Sequence, residues 1–381
     1  MKNILYVTGS RADFGIIQNL LIRLDSNIHN TVDVVITGMQ VEERFGNTAT
    51  FVEQSGLNII KRISMNLVDS SQKTSLQGLA LLEAGLVDVF DNKKYDAVII
   101  LGDRYEMLAV ASAATLYRVP IIHFHGGEQT LGNFDEAIRH AITKLSHLHL
   151  TSTESYRRRV IQMGEHPNTV FNVGSLGVEN VLEESLSNVN TLSQKLGINL
   201  HKKKYNVILF HPETYLEDTE ILHQVNELVA AIEEIKMDTV IIGSNVDSGS
   251  DIVMHELEKL VESTEYSMAY VKSLSSEDFH GLIQSAYVLI GNSSSGLIEV
   301  PSLNTPTINL GNRQKGRISG PSVINIPQIS SKNIVKAVKE LNTDIDFTNP
   351  YYRGSAINNS EKVILEFLNG SEQLIKTFYD I

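Results

Sequence analysis

The chain has 381 residues, no cysteine and a formal net charge of −13, from 32 Lys and Arg against 45 Asp and Glu. A composition of 42% hydrophobic and 20% charged residues is that of a folded globular protein with apolar material for about two cores. The lack of cysteine excludes disulfides, thiolate metal sites and thiol nucleophiles, and the acidic balance argues against a broad nucleic-acid surface.

An anionic ligand must therefore be held by a local cluster of cations against the global field. No apolar run approaches the roughly 18 residues that a membrane span needs. Residues 1–8 run directly into a strand pattern without an apolar leader and cleavage site, so an unprocessed, cytoplasmic protein is expected.

Short apolar runs alternate with longer amphipathic stretches, the pattern of parallel α/β domains. In the first half, strands are predicted at residues 4–8, 32–37, 97–101, 120–123 and 148–151, with helices over 14–24 and 78–90 between them. Runs such as Val98-Ile99-Ile100-Leu101 are apolar throughout, as in strands covered on both faces. A polar, weakly periodic segment at 183–204 precedes a second set at 207–210, 239–243, 269–271, 287–291 and 307–310. The expected domains are 1–180 and 181–365, with a C-terminal helix in 366–381 packing back on the first.

Ligands of open parallel sheets bind beyond the carboxyl ends of the strands. After the first strand, Arg11 lies in Thr8-Gly9-Ser10-Arg11-Ala12-Asp13, where its guanidinium can fork onto a phosphate at a helix start; a plain surface Arg is the alternative. The turn lacks the spaced glycines of a dinucleotide fingerprint, so nicotinamide cofactors are disfavoured, and no other cofactor is expected. Asp103 and Arg104 follow the 97–101 strand and offer either a general base or a structural ion pair.

His123, His125 and Glu128 crowd the Gly126-Gly127 turn. Beyond it, Ile138, Ala141, Ile142 and Leu145 mark an amphipathic helix, with Asp135 and Arg139 sharing its other face. His125, Glu128 and Asp135 are candidates for acid/base work; without a helical His-x-x-x-His pattern, a metal site is not expected.

In the second half, His211 is held extended by Pro212 and is either a ligand contact or a satisfied core histidine. Asn245 and Asp247 sit in the loop after the 239–243 strand. Gly291-Asn292-Ser293-Ser294-Ser295-Gly296 joins a buried strand to a helix start, so Ser293, Ser294, Ser295 and nearby backbone N–H groups can cradle an anion; Asn292 or a serine would equally serve as a plain helix cap. Asn312-Arg313-Gln314-Lys315-Gly316-Arg317, a basic loop in an acidic chain, follows one βα unit later and would supply the charge such a turn needs. No Gly-x-Ser-x-Gly elbow is present.

The Ser turn with Glu299 and the following Arg313 resembles the UDP-N-acetylglucosamine 2-epimerases. So do Val7-Thr8-Gly9-Ser10-Arg11-Ala12-Asp13, Leu101-Gly102-Asp103-Arg104-Tyr105-Glu106, His123-Phe124-His125-Gly126-Gly127-Glu128, Ile138-Arg139-His140-Ala141-Ile142-Thr143-Lys144 and Phe210-His211-Pro212-Glu213-Thr214. The match spans essentially the whole chain and is nearest to the hydrolysing branch that makes N-acetylmannosamine for sialic acid synthesis. The resemblance implies an α/β GT-B fold, two Rossmann-like parallel-sheet domains facing an interdomain cleft.

By the same resemblance, Arg11, Ser293, Ser294, Glu299 and Arg313 hold UDP, with Glu299 on the ribose hydroxyls, while Asp103, Asp135, Arg139 and His211 act on or near the sugar. Non-hydrolysing relatives carry Lys where this chain has Ile16 and Glu where it has His125, and some hydrolysing ones have His in place of Gln40. The expected reaction converts UDP-N-acetylglucosamine and water to N-acetylmannosamine and UDP. Alternatives are the same chemistry on the UDP-linked 2,4-diacetamido-trideoxy sugar of the legionaminic acid route, a GT-B glycosyltransferase, or a non-catalytic UDP-sugar sensor. Relatives imply a homodimer or homotetramer.

Overall fold

The computed structural model describes residues 1–42, 48–69, 71–131, 134–213, 215–243, 249–264, 266–272, 274–342, 344–370 and 375–380. The chain forms two compact units: Met1–Glu128, Phe134–Asn180 and Arg353–Ile381 make the first, and Gln129–Asn133 with Val181–Tyr352 the second.

The first unit is built on seven parallel strands: β1 (Lys2–Thr8), β2 (Asn30–Ile36), β3 (Asn58–Arg62), β4 (Ala97–Leu101), β5 (Ile121–Phe124), β6 (Leu148–Thr151) and β7 (Val170–Asn172). Their order is β3-β2-β1-β4-β5-β6-β7, so direction reverses between β1 and β4, where a doubly wound sheet opens a crevice at its carboxyl edge. The central strands read as largely apolar because their side chains alternate between two covered faces. Ile4 and Tyr6 pack with Phe14, Ile17, Leu20, Leu21 and Leu24 of helix Arg11–Asp25 and with Ile357, Ile364 and Leu368 of helix Ala356–Asn369. Leu5, Val7, Val98 and Ile100 pack on the opposite face with Leu82, Leu86 and Val89 of helix Gln72–Asn92 and Ile142 of helix Asp135–Leu145. Each such buried side chain contributes about 1.5–3 kcal/mol.

The second unit has six parallel strands: β8 (Tyr205–Leu209), β9 (Asp238–Ile242), β10 (Met268–Val271), β11 (Val288–Gly291), β12 (Thr307–Leu310) and β13 (Val323–Ile326). Their order, β10-β9-β8-β11-β12-β13, reverses between β8 and β11. At that point a Cβ on Gly291 would lie 1.8 Å from the Leu209 carbonyl oxygen, so only glycine lets β11 end so close to β8. The segment read as weakly periodic contains helix Val189–Leu196, capped by the Asn188 side chain and closed by Gly197, with Leu192 buried.

The chain returns to the first unit at Arg353, ahead of the expected boundary, and its last helix is Ala356–Asn369. Past it, Lys376 Nζ donates to the carbonyls of Thr143, Lys144 and Ser146 at 3.2, 2.7 and 2.6 Å, and pairs with Glu165 at 2.7 Å. These are the orphan acceptors at the end of helix Asp135–Leu145, so the tail caps the helix that carries Asp135, Glu136 and Arg139. Among the described residues no helix is long and apolar enough to cross a membrane.

Candidate active site

In the first unit the candidate residues gather at the carboxyl ends of β1, β4 and β5. Ser10 caps helix Arg11–Asp25 in a capping box with Asp13, whose carboxylate accepts from the Gly9 and Ser10 N–H groups at 3.1 and 2.9 Å and from the Thr8 hydroxyl. Burial raises Asp13 to about pKa 6, against the pull of those hydrogen bonds and of Arg104. Arg11, at the helix start, lies 4.1 Å over the Phe51 ring.

Arg104 does not pair with Asp103. Its Nη2 and Nε reach Glu106 at 2.7 and 3.2 Å, and Glu106 is fully buried. Asp103 pairs with Arg139, whose Nε (2.9 Å) and Nη2 both donate to Oδ2. Oδ1 takes no hydrogen bond from a described residue, and the Asp103 side chain is 26% exposed. One carboxylate oxygen is thus anchored and the other presented.

Arg139 corrects the expectation of a polar face shared with Asp135. It is fully buried, and its Nη1 also donates to the Glu128 carbonyl at 2.8 Å and to Glu136 at 2.7 Å. A buried guanidinium is tolerated only with such partners. Asp135 opens the helix at its first residue.

His125 has φ +65°, a left-handed backbone that is uncommon outside glycine, and such strain concentrates at functional positions. Gly127 follows at φ +77°, where a Cβ would lie 2.5 Å from the Tyr156 carbonyl oxygen. His125 Nδ1 is 2.8 Å from Glu128 Oε1, which also accepts from Ser152 Oγ at 2.8 Å. A carboxylate acceptor places the hydrogen on Nδ1, leaving Nε2, without a partner among the described residues, as the working nitrogen. Carboxylate, imidazole and open nitrogen form the oriented-base arrangement of acyl-transfer triads, here without a nucleophile.

His123 is structural. It is fully buried, its Nε2 donates to the Gly102 carbonyl at 2.8 Å, and burial holds it neutral with a pKa lowered to about 3. In the second unit burial, with Arg313, lowers His211 likewise to about 3. Both histidines are depressed from an unfolded value of about 6.5, so their contribution to stability is complete above that pH and lost as pH falls toward 3. Urea denaturation should therefore show stability declining from about pH 6.5 to about pH 4, with a shallower decline for His123→Gln. An unchanged slope in that variant would contradict the assignment.

In the second unit the site forms where β8 and β11 end. Asn292 is fully buried and bonds both ways to the His211 backbone: Oδ1 accepts from N–H and Nδ2 donates to the carbonyl, each at 2.8 Å. It is therefore a strand-end cross-link rather than a helix cap. Its own carbonyl accepts from Gln314 Nε2 at 3.0 Å and Arg313 Nη1 at 3.4 Å, which ties the basic loop to the Ser turn. Ser293 and Ser295 hydroxyls lie 2.9 Å apart. The helix expected beyond them is one turn, Ser295–Ile298, with Ser294 before it making no side-chain cap bond. So short a helix has little macrodipole, and anion binding here must come from hydroxyls, backbone N–H groups and Arg313.

Glu213 accepts from the Asn312 N–H at 2.9 Å and fixes the start of the basic loop. Glu299 faces His280 Nε2 at 4.0 Å. Asn245 and Asp247 lie outside the described residues. Sequence reasoning missed Glu136, Ser152, Gln314 and His280 as parts of these networks. Ser10-x-x-Asp13 carries capping-box spacing that was not used, and Glu136 sits one helical turn before Arg139; Ser152, Gln314 and His280 carry no local signal. Among the described residues no group of three or more His, Asp or Glu is placed to hold a metal ion.

Residues 23–365 match the family described as UDP-N-acetylglucosamine 2-epimerase. The chain is 45% identical to the polysialic acid biosynthesis protein P7 of Escherichia coli, covering 100% of this chain and 98% of that protein. The chain belongs to the UDP-N-acetylglucosamine 2-epimerase family.

A further member that it resembles is the GDP/UDP-N,N'-diacetylbacillosamine 2-epimerase (hydrolyzing) of Campylobacter jejuni, 33% identical over 85% of this chain and 84% of that one. Among solved structures, the UDP-GlcNAc 2-epimerase of Neisseria meningitidis bound to UDP-GlcNAc superposes with a TM-score of 0.78 at 18% identity, covering 96% of this chain and 99% of that one. The fold of this family member is thus GT-B-like, with two parallel-sheet α/β units.

Proposed function

We propose that this epimerase hydrolyses UDP-N-acetylglucosamine with inversion at C2, releasing N-acetylmannosamine and UDP for sialic acid synthesis. The observation that carries the reading is Asp103, one oxygen anchored on buried Arg139 and the other presented, the form of a positioned base. The 45% identical relative named for polysialic acid biosynthesis supports the product.

Taking the proton from C2 becomes easier as the C1–O bond to UDP lengthens, because C1 gains cationic character. The C2–H electron pair then forms the C1–C2 double bond, the C1–O pair leaves with UDP, and a 2-acetamidoglucal remains. Water adds its oxygen to C1, and a proton reaches C2 on the opposite face. Asp103 and Asp135 are the first candidates for these transfers, and His125, held by Glu128, is the next. Arg139 orients Asp103, and His211 contacts the sugar or phosphate. Ser293, Ser294, Ser295, Arg313, Arg11 and Arg104 neutralise the departing diphosphate, while Glu299 accepts from the ribose hydroxyls. Asn245 and Asp247 are proposed as further contacts to the UDP-sugar.

The C. jejuni relative supports a second reading, the same chemistry on a UDP-linked diacetamido sugar. Turnover in ¹⁸O-labelled water tests the account with either substrate. One label should enter C1 of a free sugar and none should enter UDP. A UDP-linked mannosamine product, or label in UDP, would overturn it, and the preferred substrate decides between the two readings.

A further inference from the structure

One buried imidazole of the second unit has no part in the chemistry above. His280, on helix Ser276–Ser285, is 7% exposed. Its Nδ1 is 2.6 Å from Glu184 Oε2 and 3.3 Å from Ser276 Oγ, and its Nε2 faces Glu299 Oε2 at 4.0 Å. A neutral imidazole has one N–H to give; only the imidazolium donates toward both carboxylates. Burial pulls the His280 pKa down, but Glu299 and Glu184 outweigh it and the net shift is upward. Glu299 has no other side-chain partner among the described residues, and it stays 18% exposed.

We propose that His280 is a positioning residue for nucleotide recognition: braced on Glu184, it holds one oxygen of Glu299 so that the carboxylate stays aimed at the vicinal diol of a ribose. The proposal rests on the reading that Glu299 binds ribose hydroxyls. A carboxylate grips a diol through two O–H donors, so its orientation decides whether both bonds form. Without the brace, Glu299 would have to order itself on each binding event.

The test compares UDP with 2′-deoxy-UDP by calorimetry. In His280→Gln the preference for UDP should fall by about tenfold while the affinity for 2′-deoxy-UDP stays unchanged. Equal weakening of both nucleotides would show a merely structural role and overturn the proposal. Glu299→Gln separates the two claims. If it keeps the preference, the ribose reading fails and takes the proposal with it. If it loses the preference and His280→Gln does not, the proposal alone fails. The unaltered protein gives a check independent of folding, since the imidazolium exists only below its raised pKa and, among the described residues, the charged and hydroxyl groups it faces are Glu184, Glu299 and Ser276. Its preference for UDP should decline as pH rises past the ordinary imidazole range, and a flat profile contradicts the proposal.

Discussion

Asp103→Asn should lower turnover of UDP-N-acetylglucosamine by about 10²–10⁴-fold, the range that removal of a positioned acid/base group produces. Affinity for UDP should stay within about twofold, because the proposed diphosphate contacts lie elsewhere. The amide keeps the shape of the carboxylate and its carbonyl still accepts from Arg139, so the geometry survives while the basic oxygen is lost. Arg139 retains Glu136 and the Glu128 carbonyl as partners, which limits the loss of stability. Breaking a buried ion pair from one side costs about 3–5 kcal/mol at most, and the retained partners should keep the cost near 1–2 kcal/mol. Rate measurements with a thermal melt decide it. A variant that folds and turns over within about tenfold of the parent removes Asp103 from the proton transfer.

Asn292→Ala should be the most damaging single change in the second unit. It strips the partner from the buried N–H and carbonyl of His211 together, and each unsatisfied group costs about 1–3 kcal/mol. A loss of about 2–5 kcal/mol in urea denaturation is expected. The backbone carbonyl of Asn292, which receives Gln314 and Arg313, survives the substitution but loses the side-chain tie that fixes it to the His211 backbone, so the Ser turn and the basic loop should shift, with UDP affinity falling more than about tenfold. Asn292→Asp is the informative companion, since it keeps one acceptor but loses the donor to the His211 carbonyl. A cost below about 0.5 kcal/mol for Asn292→Ala would mean that the cross-link is incidental.

The central strands were legible because burial on both faces leaves a near-continuous apolar run; residues 97–101, 148–151 and 307–310 match the structure in both bounds. Three of the four edge strands were not. β3 alternates in exposure, β7 has three residues, and β13 shows a half-exposed Ile-Asn centre, so none carries the apolar signal of a covered strand.

At the site, the residue types were readable but their partners were not. Asp103 stood out after a buried strand, yet its partner Arg139 read as the polar face of a helix. Helical periodicity has no means of telling a solvated arginine from a buried one whose charge is met by groups distant in sequence. For Asn292 a plain cap stayed open as an alternative for the same reason, since its partner His211 follows another strand. His280 lies on an ordinary amphipathic helix, and only the fold brings Glu184 and Glu299 to its two nitrogens.

The most direct test of the account is product NMR after turnover of UDP-N-acetylglucosamine in deuterated water. Free N-acetylmannosamine carrying one deuterium at C2, formed together with UDP, is expected. Free sugar with the original hydrogen at C2, or a mannosamine still joined to UDP, would contradict it.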